Sequence, residues 1–212
     1  IEFMKALRHP NIVEYIGASF NRKDKLAIVT GFYERGSLGQ FLKSLAAQKK
    51  LPSQYFIVKT GLMIAQGLAW LHRKGIVHRD LKPENVLMDR SDNVRICDFG
   101  VSADLLNFGL VPKFNFYGTP FYAAPEVINQ AEYGVSADIY SFGVVLISMI
   151  KCGCPFDKSQ FPPNDNEENT LLKKAVVQGL RPSIPKTISP EIVNLIKTCF
   201  KPQGDRPTAD QL

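Results

Sequence analysis

Four polar side chains close together in sequence, Asp80, Lys82, Asn85 and Asp98, have the types and spacing that phosphoryl transfer requires. Three of them stand in the run His78-Arg79-Asp80-Leu81-Lys82-Pro83-Glu84-Asn85. The fourth opens Asp98-Phe99-Gly100, and Ala124-Pro125-Glu126 follows downstream. Moving a phosphoryl group asks little covalent work of a protein, so the site must hold a hydroxyl against the terminal phosphate and neutralise the charge spread over it. Carboxylates and metal ions meet that need. An ammonium such as that of Lys82, close to the transferring group, favours the transition state electrostatically. Motifs in a fixed order weigh far more than a lone short match.

The surrounding sequence supplies elements that would position these groups. Ser53, after Pro52, is placed to cap a helix, and Ile57, Gly61, Ile64, Leu68 and Leu71 then recur at helical spacing on one side. This helix leads into a short strand, Gly75 to Val77, which delivers Asp80 on a loop braced at both ends. Val86-Leu87-Met88 and Val94-Arg95-Ile96 read as a strand pair around Asp92-Asn93 that brings Asp98 opposite that loop. Val135 to Ile150 is apolar around nearly its whole circumference and predicts a fully buried helix. Asp138 on that helix is expensive unless paired. Toward the start, His9-Pro10-Asn11 ends a first helix and precedes strands expected over Ile12 to Ala18 and Lys25 to Thr30. Asp157 to Asn169, with Pro162-Pro163, reads as a solvent loop, Thr170 to Val177 as a helix ended by Gly179, and Ser189-Pro190 as the start of another.

Composition narrows the class. With 212 residues and 45% hydrophobic content, the chain can bury a substantial core as one large domain. The net charge of +6 comes from scattered Lys and Arg rather than a basic stripe interleaved with aromatics, which predicts a solvated surface and no nucleic-acid partner. Cys97, Cys152, Cys154 and Cys199 show neither metal-ligand spacing nor a disulfide framework, and so point to a reducing, cytoplasmic compartment. Cys152-Gly153-Cys154 reads as a turn with two ordinary thiols, and Cys97 as a buried, inert one. The longest apolar stretch, Ile139 to Ile150, is too short to span a bilayer.

These motifs resemble the catalytic domain of eukaryotic protein kinases, over essentially the whole chain. The resemblance implies an α+β, protein-kinase-like fold: a mostly helical large lobe (37–212), a hinge (31–36) and a remnant of the small β lobe (1–30). It implies ATP and Mg²⁺ as cofactors and proteins as substrates. Asp80 would accept or orient the substrate hydroxyl proton, with Lys82 beside the transferring phosphate and Asn85 and Asp98 holding the metal. Thr30 would be the gatekeeper, the backbone of Gly31 and Tyr33 would bind the adenine edge, Ser37 would lie near the ribose and Leu87 beneath the ring. Thr119 would hydrogen-bond Lys82 and Asp80, and tyrosine-specific members usually carry Ala or Arg where Lys82 stands, so a serine/threonine kinase of intracellular signalling is implied. In supporting roles, Asp138 would hold the backbone near His78 and Arg79, Arg206 would pair with Glu126, and Met4, Tyr15, His78 and Phe99 would stack between the lobes. His9-Pro10-Asn11-Ile12-Val13, Gly36-Ser37-Leu38 and Arg206-Pro207-Thr208 resemble the tyrosine-kinase-like group.

Three departures matter. The family usually has Glu where Gly31 stands. No glycine-rich phosphate loop or Val-Ala-Ile-Lys strand precedes the first helix, and the helix glutamate that pairs with that lysine would fall one residue before Ile1. Glu2, two positions along, would point about 200° away. The expectation is that this chain by itself transfers phosphate poorly and belongs to a longer, active polypeptide. Finally, Arg79 in this family pairs with a phosphate on the activation segment, yet residues 105–116 contain no Ser, Thr or Tyr. Activation is therefore expected not to rely on a mid-segment phosphate. A pseudokinase scaffold and a small-molecule phosphotransferase of related fold stay open as alternatives. The first usually loses Asp80, Asn85 or Asp98, and the second lacks the Thr119 to Glu126 segment.

Overall fold

The computed structural model describes residues 2–20, 26–105, 110–111, 116–157, 159 and 165–212, with the backbone alone for 2–3 and 165–167. In chain order its elements are α1 (Glu2–Lys5), β1 (Tyr15–Phe20), β2 (Leu26–Thr30), α2 (Leu38–Ala47), α3 (Gln54–Arg73), β3 (Ile76–Val77), β4 (Val86–Met88), β5 (Val94–Ile96), β6 (Ala103–Asp104), α4 (Pro125–Ile128), α5 (Ser136–Lys151), α6 (Asp165–Val177) and α7 (Pro190–Cys199). The fold is α+β: helices dominate, and the strands form three small antiparallel pairs, β1 with β2, β3 with β6, and β4 with β5.

Helix α3 begins because Ser53 lies in extended backbone and its hydroxyl accepts the Phe56 N–H at 3.1 Å, satisfying one of the orphan donors of the first turn. Its stripe of Ile57, Gly61, Ile64, Leu68 and Leu71 is buried. Helix α5 is buried at every residue from Ala137 to Ile150, so it must be enclosed by other elements rather than lie on the surface. It packs on α3 and α7, and the second contact is close. A Cβ on Gly143 would stand 2.7 Å from the Cβ of Cys199 and 3.1 Å from the Phe200 ring.

The chain before β1 departs from expectation. Ile12 and Val13 lie beside β5 instead of opening β1: the Ile96 N–H donates to the Asn11 carbonyl and the Val13 N–H to the Ile96 carbonyl, both at 2.9 Å. Pairing with a buried strand removes both side chains from water, so the β1–β2 ladder starts at Tyr15. Helix α2 has no counterpart in the sequence reading. Its start is a capping box in which Ser37 and Gln40 each bond the other's backbone N–H. Helix α6 opens at Asp165, five residues before Thr170 and inside the expected solvent loop. Pro162-Pro163 of that loop, Lys25 of the second strand, Ile1 and the side chain of Glu2 lie outside the described residues.

Between β4 and β5 the turn is tied by Asp89, whose carboxylate accepts from Ser91 N–H, Asn93 N–H, Asn93 Nδ2 and Arg95. Burial opposes its charge, but these bonds prevail and pull its pKa down to about 2. The turn therefore keeps its shape at any ordinary pH, and with it the approach to Asp98.

Because α5 and α7 meet at Gly143, adding one methyl there should overpack the centre. Gly143→Ala is expected to lower the unfolding free energy by about 1–3 kcal/mol, read from urea denaturation of the full-length polypeptide beside a wild-type control.

Candidate active site

The loop carrying Asp80 is held from below by the buried helix. Asp138 is completely buried. Its carboxylate accepts the His78 N–H at 2.8 Å, the Arg79 N–H at 2.9 Å and a bond from His72 Nε2 at 2.9 Å. Burial works to raise its pKa, but the hydrogen bonds and the His72 and His78 rings outweigh that and hold the group ionised, below its ordinary value. The anchoring permits an unusual backbone, since Arg79 has φ 73° and Asp98 has φ 62°. Such left-handed conformations of non-glycine residues cost about 1–3 kcal/mol each and persist only where the surroundings impose them.

Four contacts join this loop to the segment of Asp98. The His78 ring, fully buried, lies with Nε2 2.8 Å from the Cys97 carbonyl and meets the Phe99 ring edge-on at 5.3 Å. Ser102 Oγ donates to the His78 carbonyl at 3.2 Å. The Cys97 N–H donates to the Asn85 carbonyl at 2.9 Å.

At the centre lies a closed polar triangle. Lys82 Nζ donates to Asp80 Oδ2 at 2.6 Å and to Thr119 Oγ1 at 2.8 Å, while Thr119 Oγ1 donates to Asp80 Oδ1 at 2.9 Å. Asn85 Nδ2 donates to the Asp80 carbonyl at 2.9 Å and to Oδ2 at 3.1 Å. The carboxylate plane of Asp80 is thus fixed from three sides. Because the nitrogen of the Asn85 amide is committed to Asp80, its oxygen points elsewhere.

Two open spaces hold candidate residues, one around Asp98 and one against the triangle. One is a cavity of about 640 Å³ lined by Met4, Val13, Ile28, Thr30, Leu87, Cys97, Asp98, Phe99, Gly100, Ser102, Ala103 and Asp104. The other, of about 400 Å³, is lined by Lys82 and Thr119 themselves together with Gly39, Leu42, Lys43, Pro83, Glu84, Phe121, Tyr122, Gly153, Cys154 and Pro155. Cys97 lines the first space, yet burial and then the Asp98 charge push its thiol up to about 12, so it is not a thiolate at neutral pH.

The structure brings Thr30, Lys82, Leu87, Asp98 and Thr119 to these spaces, and leaves other sequence-expected residues outside their walls. Thr30 and Leu87 line the cavity; Gly31, Tyr33 and Ser37 do not. The Ser37 hydroxyl is spent on capping α2 by accepting the Gln40 N–H at 3.2 Å. The Tyr33 side chain folds back so that its hydroxyl accepts the Glu14 N–H at 3.2 Å, with the Arg95 guanidinium 4.8 Å from its ring centre. A Cβ on Gly31 would approach that hydroxyl to 2.9 Å, so a side chain there would require the Tyr33 ring to shift. Met4 and Phe99 share the cavity wall, whereas Tyr15 lines a separate cleft with Lys5, Ile12 and Arg95. Arg206 grips Glu126 with two bonds, at 2.5 and 2.9 Å, and also donates to the Lys201 and Ser136 carbonyls.

Sequence reasoning missed two features. His72 reaches Asp138 across a separation of 66 residues, and no local pattern encodes that. Arg79 stands against the rings of Tyr117 and Tyr133. The absence of hydroxyl residues at 105–116 hinted that Arg79 needs some other partner.

A helical large lobe, a polar triangle on a strained loop, and a cavity walled by Asp98-Phe99-Gly100 define a phosphotransferase of the protein kinase class. Comparison with known proteins agrees: the family model described as "Protein kinase domain" matches residues 1–212. MAP3K epsilon protein kinase 1 of Arabidopsis thaliana is 35% identical over the whole chain, and serine/threonine-protein kinase STY17 of the same plant is 34% identical over 95% of it. Mitogen-activated protein kinase kinase kinase A of Dictyostelium discoideum is 35% identical over the whole chain. The chain spans 15%, 33% and 21% of the lengths of these three relatives. It belongs to the protein kinase domain family, whose members are ATP-dependent phosphotransferases that use a divalent metal.

The residues present fit such a metal. Among the described residues no cluster of three or more His, Cys, Asp or Glu side chains could hold an ion alone. Asp98 and the amide oxygen of Asn85 are hard oxygen donors of the kind that suits a divalent metal taking its remaining ligands from phosphate and water. No described helix is long and apolar enough to cross a membrane.

Since Asp138 is held ionised, its contribution to stability is present above its unfolded pKa and fades as pH falls through the lower folded one. Asp138→Asn should therefore cost about 3–5 kcal/mol at neutral pH, and the gap to wild type should shrink on acidification below about pH 4. Urea denaturation between pH 3 and 7 checks both parts.

Proposed function

We propose that this chain forms the catalytic centre of a serine/threonine protein kinase of the tyrosine-kinase-like group, active in intracellular signalling, which moves the terminal phosphate of magnesium-ATP to Ser and Thr hydroxyls of proteins. The observation that carries the reading is the Asp80–Lys82–Thr119 triangle, with edges of 2.6, 2.8 and 2.9 Å. Lys82 and Thr119 are the residues that incline the family resemblance toward Ser/Thr, and relatives such as STY17 and STY46 of Arabidopsis thaliana are named serine/threonine-protein kinases.

In this reading Asp80 accepts the proton of the substrate hydroxyl as that oxygen closes on phosphorus, and Lys82 places its positive charge beside the transferring group. Thr119 and Asn85 keep the Asp80 carboxylate from rotating, so little reorganisation is left for the moment of reaction. Asn85 and Asp98 would hold the magnesium, which supplies charge neutralisation at the phosphates. Thr30 and Leu87 shape the adenine end, with the hinge backbone at Gly31 and Tyr33 offering hydrogen bonds to its edge and Ser37 nearby. The groove walled by Leu42, Pro83, Phe121, Tyr122 and Pro155 favours an extended peptide over a small metabolite, because it is mostly apolar and leads straight to Lys82 and Thr119.

The described cavity wall includes Asp98 and Asp104 but no lysine or arginine to face the phosphates. This supports the expectation that the 212 residues by themselves transfer phosphate poorly.

With the full-length polypeptide, magnesium-ATP and generic protein substrates, phosphate should appear on Ser and Thr, and Asp80→Ala should lower kcat by about 10²–10⁴-fold. The isolated 212 residues should fall far below the full-length protein. Phosphate only on Tyr would overturn the Ser/Thr assignment. No transfer by a folded full-length protein would leave a scaffold as the better reading.

A further inference from the structure

Arg79 precedes Asp80, and its N–H is fixed by Asp138. Among the described residues no carboxylate pairs with its guanidinium. The Nε is buried without a hydrogen-bond partner among the described residues. The guanidinium carbon instead lies 5.0 Å from the ring centre of Tyr117 and 5.8 Å from that of Tyr133. Both distances fall within the range of cation–π attraction, which is stronger where water is excluded. Tyr133 is 5% exposed, so its half of the contact is dry. Burial raises the Tyr133 hydroxyl pKa, against the nearby Arg79 charge and a hydrogen bond from the Arg79 side chain.

Both tyrosines also belong to the machinery that seats the segment leading to Ala124-Pro125-Glu126. The Tyr133 carbonyl accepts the Val111 N–H at 2.8 Å, which pins the segment at that point. After Tyr117 comes Gly118, at φ 108°, where a Cβ would stand 2.8 Å from the Arg79 carbonyl. Then comes Thr119, bonded to Asp80 and Lys82. Residues 117–119 thus run flat along 79–82, in a fit that a side chain at 118 would block.

Resting on the kinase reading above, we infer that Tyr117 and Tyr133 are positioning residues: their ring faces hold the Arg79 cation, and so seat the segment against Asp80, without a phosphate. A phosphate would satisfy Arg79 through charge-assisted hydrogen bonds. The electron-rich ring faces supply a permanent negative surface in the same place, and residues 105–116 offer no hydroxyl to modify. Tyr117 is the residue to probe because it is 45% exposed and can be changed without emptying the core.

The experiment uses the full-length polypeptide, treated with phosphatase until mass spectrometry finds no phosphate, as wild type, Tyr117→Phe and Tyr117→Leu. Hydrogen exchange over residues 117–124 and steady-state kinetics are measured on each. Wild type should keep its segment protected and its kcat within about twofold of the untreated protein. Tyr117→Phe, which keeps the ring face, should retain most of both. Tyr117→Leu should lose the protection and about tenfold in kcat, with the KM for ATP little changed. Loss of protection and activity on dephosphorylation, or a Tyr117→Leu protein indistinguishable from wild type, would overturn the inference. Exchange is read whether or not any form is active, so a protein that keeps the ring-dependent protection yet transfers no phosphate would sink the kinase reading and leave the clamp standing.

Discussion

A carboxylate with no path to water, set in the first turn of a buried helix, must find donors inside the protein or not ionise at all. Asp138 finds them in the backbone of His78 and Arg79 and in the ring of His72. Everything chemically active lies downstream of that arrangement. The two amides fix the direction in which the loop leaves β3, the strained Arg79 backbone aims Asp80 outward, and Lys82 and Asn85 follow at the spacing the loop dictates. The helix is the foundation and the loop is what it carries.

Around this anchor the molecule uses close packing and paired charges to prevent slack. Gly143 lets α7 press against α5, Gly118 lets the segment of Thr119 lie against the loop, and the bidentate Arg206–Glu126 pair fastens α4 to the C-terminal region. A buried ion pair of this kind adds little net stability, but losing one partner is severe. Its effect here is to fix where the peptide-facing segment ends. The polar triangle is therefore clamped at both borders, at Asp138 beneath and at Glu126 beyond.

Much of this could be read in the sequence, and the rest could not, for definite reasons. Helices α3 and α5 declare themselves through a one-sided and an all-round apolar pattern, and the four candidate groups Asp80, Lys82, Asn85 and Asp98 stand in motifs that follow one another in a fixed order. Helix α2 escaped because its signal is a reciprocal Ser37–Gln40 cap rather than a long stripe. The start of β1 was misjudged because Ile12 and Val13 alternate like strand residues but find their partner in β5, far along the chain. The Tyr33 ring folded back against Gly31, and the tyrosines at Arg79, depend on rotamers and on contacts between distant segments. Periodicity carries no trace of either.

The sulfur of Cys97 lies in the wall of the larger cavity but behaves as part of the oil, not as a nucleophile. A reagent bearing an electrophilic warhead would find a thiol there that stays protonated through the physiological range. The same atom is soft and polarisable, and offers the face of an aromatic ligand a favourable dispersion contact. Ligands for this cavity would gain from Cys97 by lying against it reversibly, and bulk placed toward it would be more productive than reactivity.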